Sequence, residues 1–217
     1  MEQKDVWDVL ADKWKDYRNK PIPEVIDFLK DKKGNVLDLA CGSGRNFCQI
    51  DGKLFGIDFS EKQVEYAKKR AEEFKIDCEC LAAKCENLPI QDNFFDAAVF
   101  ISSLHCIESE AARKKTLTEL HRVLKPGAEV MISVWNRKDK QDIKEDYITW
   151  KIDGEVFKRY YYFYNKEEFK KLVEGIGFET IDFWDEDFDK SVSPDAIKYN
   201  PNKFPKRNIV IIARKKR

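Results

Sequence analysis

Asn35-Val36-Leu37-Asp38-Leu39-Ala40-Cys41-Gly42-Ser43-Gly44 runs an apolar strand straight into a glycine-containing turn. The near-continuous apolar character of residues 35–40 is that of a short strand buried on both faces. Gly42 and Gly44 then allow a ligand to approach the backbone where the strand hands over to a helix. The dinucleotide fingerprint G-x-G-x-x-G asks for a third glycine at position 47, and Phe47 stands there, so pyrophosphate binding is disfavoured. Asp38, inside the leading strand, would repel a pyrophosphate but suits a ligand carrying ammonium and sulfonium charge.

Outward from this turn the chain alternates strand and helix. Strands read at 54–58 (LFGID), 78–82, 95–101 (FDAAVFI) and 129–134 (EVMISV). Helical spacing runs over 61–75, with Ser60 as its N-cap, and over about 111–124, stopping at Lys125-Pro126-Gly127. Repeated βαβ units imply a mostly parallel sheet covered by helices. A last helix over 165–176 is followed by strands at 178–184 and 209–213 with no helix between them, which predicts an antiparallel strand closing the sheet. Residues 1–30 and 136–164 lie outside this rhythm. Val6, Leu10, Trp14 and Tyr17 recur at helical spacing, so the first is an amphipathic helical extension. Connections usually run about 4–6 residues, so the second is a structured lid or a binding element. One domain, 1–217, accommodates both.

Of the 217 residues 42% are hydrophobic and 37% charged, with 40 Lys+Arg against 40 Asp+Glu. Neither a disordered chain nor a wholly basic nucleic-acid binder fits these totals. The balance hides an acidic stretch at 181–190 and six basic residues at 206–217 without an acid, a solvated tail or a phosphate contact. No apolar run approaches the ~20 residues of a membrane span, and the first ten residues are too acidic and broken for a signal peptide. A cytoplasmic protein is expected. Six cysteines without a CxxC pair and only two histidines, His105 and His121, imply reduced core thiols and no metal site.

A second acid, Asp58, ends the next strand, where a carboxylate can accept both hydroxyls of a ribose. Each acid alone has a structural alternative: Asp38 could cap neighbouring backbone and Asp58 the following helix. As a set, DLACGSG, GIDFS, ENLPIQDNFFDAAVF and LTELHRVLKPGAEVMIS resemble, in order and over most of the chain, the class I S-adenosylmethionine-dependent methyltransferases. That resemblance implies a Rossmann-like α/β fold whose seven-stranded sheet runs in the order 3-2-1-4-5-7-6, and S-adenosylmethionine as cofactor. It assigns Asp38, Ala40, Gly42 and Gly44 to the methionine end, Asp58 and Phe59 to the ribose, Cys85 and Glu86 to the adenine, and Ser102 to the edge after the fourth strand. Lys84 departs from the family, which commonly has an acid there for the adenine amino group. Rival readings from other classes are a nicotinamide oxidoreductase and a non-catalytic module that binds the same cofactor.

Ligands in open α/β sheets lie beyond the carboxyl ends of the strands, which places His105, after the fourth strand, near an acceptor. A structural histidine is the equal alternative; His121, inside the helix before LKPG, reads as structural. Residues 11–23, 146–151 and 159–162 resemble the eukaryotic and archaeal methyltransferases that esterify 5-carboxymethyluridine at the tRNA wobble position, giving the 5-methoxycarbonylmethyl ester. This resemblance implicates Arg18, His105 and Arg159 in acceptor binding and catalysis. Tyr162 stands where that family often has a histidine. Tyr160, Tyr161, Tyr162 and Tyr164 either pack a lid strand or, at alternate positions, stack a base. Lys13, Lys15 and Lys20 are candidate phosphate contacts. A small-molecule O- or N-methyltransferase is the runner-up. The same resemblance implies a small zinc-binding activator subunit docked on the third strand, between Asp77 and Ala82, which the topology leaves at an edge; a loop of this chain covering that edge is the alternative.

Overall fold

The structure, a computed structural model, describes residues 1–136, 144–186 and 207–217. Its elements in chain order are α1 (Gln3–Tyr17), α2 (Pro23–Leu29), β1 (Lys33–Leu39), β2 (Asp51–Asp58), α3 (Glu61–Glu73), β3 (Cys78–Ala82), β4 (Phe95–Ile101), α4 (Glu110–Val123), β5 (Leu124–Asn136), β6 (Glu145–Ile152), β7 (Glu155–Tyr162), α5 (Lys166–Ile176), β8 (Phe178–Glu186) and β9 (Arg207–Lys215). Seven strands form one sheet in the order β3-β2-β1-β4-β5-β9-β8, while β6 and β7 form a separate ladder. Counting only the main sheet, this is the expected 3-2-1-4-5-7-6. β1 to β5 pair in parallel, and β9 runs antiparallel to both β5 and β8.

β1 is an interior strand of the sheet, and its side chains are apolar on both faces. Leu37 and Leu39 join the core beneath α4 and α5, and Val36 joins the core beneath α2 and α3, all three fully buried. Helix starts follow the sequence closely: Ser60, Ser109 and Asn165 accept from the backbone N–H of Gln63, Ala112 and Glu168. α5 stops at Gly177, whose φ of 116° is cheap only for glycine. His121 meets Phe178 edge-on at 5.0 Å, the packing role expected for it.

The helix expected after the glycine turn does not form. Residues 40–50 pass through turns and irregular backbone into β2, and the face such a helix would cover belongs to α2, whose Val25, Phe28 and Leu29 pack with Val36 and Val99. Phe47 explains why the turn stays tight. Its ring fills the space left open at two glycines: a Cβ on Gly44 would lie 2.8 Å from it and one on Gly56 2.6 Å. In place of a third glycine, a buried phenylalanine sits over a glycine pair.

β5 also begins earlier than the pattern indicates, at Leu124, and the Lys125-Pro126-Gly127 segment lies inside it beside an irregularity in the β4 ladder. In the insert, residues 144–162 form a hairpin turning at Asp153-Gly154, both at positive φ (50° and 90°), the Asp-Gly signal of a two-residue hairpin turn. The part of the insert at 137–143, and the end of the acidic stretch at 187–190, lie outside the described residues. Of the basic stretch at 206–217, Arg214 and Lys215 belong to β9, with Arg214 bound to Glu129 and Lys215 to Asn93 and the Leu124 carbonyl; Lys206 lies outside the described residues. No described helix is long and apolar enough to cross a membrane.

α1 closes over the carboxyl ends of the strands. The Gln3 side chain accepts from the Tyr160 N–H and donates to the Lys158 carbonyl, both at 3.2 Å, tying α1 to β7. Asp8 accepts from the Ser60 hydroxyl at 2.5 Å, tying it to the start of α3.

Candidate active site

A cavity of about 370 Å³ opens at the carboxyl ends of β1, β2, β4 and β5, roofed by α1 and β7, a volume in the range of small-molecule sites. Two non-glycine residues at positive φ mark its floor: Ala40 (55°) directly after β1 and Ser102 (53°) directly after β4. Strands β1 and β4 are neighbours, and the chain winds outward from them in opposite directions, so this is the switch point of the sheet. The strained turns throw both connections apart there. Ser102 is held by the Ser133 hydroxyl, which accepts its N–H at 3.0 Å.

On the β1–β2–β3 side, Asp58 joins two turns. One carboxylate oxygen accepts from the Gly42 N–H and the other from the Ser60 N–H, each at 2.9 Å. It therefore caps the region before α3 and lines the cavity as well, so both sequence readings describe it. Burial raises its pKa to about 6, against these two backbone bonds. Ala40, Gly42, Phe59, Cys85 and Glu86 share the wall, with Lys84 beside them. Asp38 lies behind it, 2% exposed, with Oδ2 lacking a hydrogen-bond partner. Burial pushes its carboxyl up to about 7, opposed by the nearby Arg45 guanidinium. Gly44 is also off the wall, under Phe47. Gln63, which the sequence reading did not single out, turns its buried Oε1 toward the open side of Gly42 without a hydrogen-bond partner.

Another part of the wall is aromatic and basic, formed by Arg18, Arg45, Trp14, Trp135 and Tyr161. Arg18, 3% exposed, lies 5.5 Å from the Trp14 ring and 5.4 Å from that of Tyr17. Arg45 was missed by the sequence reading, although it follows Gly44 directly; burial and the neighbouring Arg18 charge lower its pKa to about 9. Arg159 is not on the wall. It is enclosed by Trp7, Trp14 and Trp150 at 5.1–5.6 Å and donates to the Tyr161 hydroxyl. His105 is fully buried behind Trp135, accepts the Trp135 N–H at Nδ1 (3.3 Å) and packs near-parallel to that ring at 4.8 Å. Tyr161 alone of the four tyrosines reaches the cavity. Tyr162 lies over the Arg113 guanidinium, 4.1 Å from its ring centre, and donates to Glu168. The position where the resemblance has an imidazole thus serves packing.

A methyltransferase-domain family matches residues 37–132. A mouse protein named "Probable tRNA methyltransferase 9B" is 32% identical over 64% of this chain and 32% of its own length. An Arabidopsis thaliana tRNA (carboxymethyluridine(34)-5-O)-methyltransferase is 34% identical over 60% of this chain and 31% of its own. The chain thus spans about a third of the length of these relatives. Among solved structures, a Methanosarcina mazei S-adenosylmethionine-dependent methyltransferase superposes with a TM-score of 0.71 at 18% identity, covering 90% of this chain and 99% of that one. A methyltransferase in complex with the Haloferax volcanii Trm112 methyltransferase activator gives 0.65 at 16% identity, over 97% and 98%.

Residues 37–132 match that methyltransferase-domain family, and the fold is that of the class I S-adenosylmethionine-dependent methyltransferases. Within that class it resembles the tRNA carboxymethyluridine methyltransferases. Its cofactor is S-adenosylmethionine, and the residues present suit it: a buried carboxylate oxygen without a partner, a second acid at a strand end, and open space where Gly42 lacks a side chain.

Proposed function

We propose that this chain transfers a methyl group to the carboxylate of 5-carboxymethyluridine at the wobble position of tRNA. The observation that carries the reading is that one cavity joins an acidic half, around Asp58 and Glu86, to an aromatic, arginine-bearing half of Arg18, Arg45, Trp135 and Tyr161; the similarity to enzymes named for this reaction supports it.

In the acidic half, Asp38 compensates the methionine ammonium, Asp58 accepts from the ribose hydroxyls, and the segment of Cys85 and Glu86 holds the adenine. Gly42 and Ala40 let the backbone approach, while Phe59 and Ser102 close the sides. When bound, the cofactor supplies an electrophilic methyl on a sulfonium. The acceptor carboxylate is already ionised at neutral pH, so this chain needs to align and desolvate it rather than remove a proton. Arg18 orients the acceptor through a planar, bidentate-capable guanidinium. Trp135 and Tyr161, stacked at 4.5 Å and 8°, present a flat wall against which an unpaired base can stack. Arg159 and His105 act from behind that wall, by fixing Tyr161 and Trp135.

Two partners follow. Lys13 and Lys20, exposed on and after α1, are phosphate contacts for tRNA, so binding weakens as salt rises. The edge strand β3 pairs only with β2 among the described residues, and Leu81 there is 38% exposed; a small zinc-binding activator adds a strand at that edge.

The test is nucleoside mass spectrometry of wobble-uridine-bearing tRNA incubated with the chain, S-adenosylmethionine and the activator. Conversion of carboxymethyluridine to its ester, stimulated by the activator and suppressed by salt, is the expected result. A second reading, methylation of a small molecule, is favoured by 34% identity to a Nostoc 2-phytyl-1,4-naphtoquinone methyltransferase over 55% of this chain and 54% of that one. Unchanged tRNA beside methylation of a small carboxylate or hydroxyl acceptor would put that reading in its place.

A further inference from the structure

We propose that Cys78 and Cys80, on the edge strand β3, form a two-thiol binding site for a soft, thiophilic cation of the Cu(I) type. The two sulfurs lie 3.5 Å apart. Residues i and i+2 share one face of a strand, but a fully extended pair need not bring its sulfurs together; here both side chains turn toward each other. Two thiolates at ~2.3 Å from one ion would stand ~3.8 Å apart at a tetrahedral angle and ~4.6 Å apart in line. The observed spacing reaches either by a small rotation about χ1.

The surroundings favour soft-ion capture over the alternatives. A disulfide would need the sulfurs to close to ~2.0 Å within an extended strand. Zinc calls for four donors, and among the described residues no cluster of three or more His, Cys, Asp or Glu side chains is arranged for a metal. Thiolates alone, few in number, select Cu(I). Entry and binding are divided between the two residues: Cys78 is half-buried at the open edge, while Cys80 is buried against the α3 side of the sheet. The two sulfurs share a hydrogen bond that either can donate, and that bond together with the Lys68 charge pulls the Cys80 thiol down. Binding breaks two S–H bonds, releases both protons to solvent and forms two S–Cu bonds, with no change of oxidation state.

The inference does not depend on the acceptor or on the activator, and neither enters its test. The reduced full chain is titrated anaerobically with Cu(I) held by a chromogenic chelator. One equivalent should pass from chelator to protein, and Cys78→Ser or Cys80→Ser should each lose it, whereas Cys48→Ser keeps it; retained S-adenosylhomocysteine binding certifies the fold of each variant. In the unaltered protein, Cu(I) should shield Cys78 and Cys80 together from iodoacetamide, as read by peptide mass spectrometry. A chain that leaves all Cu(I) on the chelator, folded serine variants that still take a full equivalent, or shielding confined to other cysteines would overturn the proposal.

Discussion

Arg159 donates to the Tyr161 hydroxyl at 2.7 Å, and the two side chains stand on one face of β7, two residues apart. Only Tyr161 faces the cavity, so under the proposed function Arg159 acts on the acceptor through that phenol, as a positioning residue. Tyr161→Phe removes a charge-assisted hydrogen bond of about 1.5–3 kcal/mol. Turnover on tRNA should therefore fall at least tenfold with cofactor affinity unchanged, and Arg159→Lys should do likewise. Equal losses in both parameters would make the pair a folding element.

His105 bears on the same wall from the other side. Nδ1 accepts the Trp135 N–H, so its lone pair is engaged there, and the ring is not on the cavity wall where a base would act. His105→Phe removes an acceptor of the buried Trp135 N–H, costing about 1–3 kcal/mol. The melting temperature should drop while the pH–rate profile keeps its shape. A profile that loses a limb in this variant would return His105 to direct chemistry.

The strands and helix starts were legible because they rest on local chemistry, while the sheet order followed from the family resemblance. Strand 35–40 is apolar on both faces, Ser60 is an N-cap, and Asp38 and Asp58 mark strand ends. What escaped depends on packing between distant segments. Phe47 reads as a missing glycine, yet its meaning appears only when Gly56, on another strand, is found under its ring. Arg45 reads as a turn residue until Arg18, from the end of α1, comes beside it. Arg159 and His105 stand behind the aromatic wall rather than on it, and a strand pattern does not say which side chain forms the surface and which stands behind it.

The Phe47–glycine contact predicts a stability effect with a built-in control. A Cβ at Gly56 would lie 2.6 Å from the Phe47 ring and 3.1 Å from the Cys41 sulfur. Gly56→Ala should destabilise by about 1–3 kcal/mol in denaturant unfolding. Phe47→Leu in the same chain should recover part of that loss, since the offending ring is gone. Strictly additive effects would show that the ring is not what Gly56 accommodates.

Asp38 gives the protein a pH dependence whose sign is fixed by burial. Its pKa is raised to about 7 from an ordinary 3.8, so the folded state without ligand holds a proton that the unfolded chain releases. Stability from this group is therefore fully present below about pH 4 and is lost as pH rises through about 7. Cofactor binding runs the other way, because the methionine ammonium needs the ionised carboxylate. S-Adenosylhomocysteine affinity, measured by calorimetry, should climb from pH 5.5 to 7.5 and then level. Asp38→Asn should alter both curves: the unfolding midpoint should lose the part of its decline centred near pH 7, and the affinity should be low at every pH. Asp58, raised to about 6 by burial, contributes the lower part of the same decline, so a residual slope centred near pH 6 should remain in Asp38→Asn. If the variant keeps the full affinity rise centred at pH 7, the ammonium is held by another group.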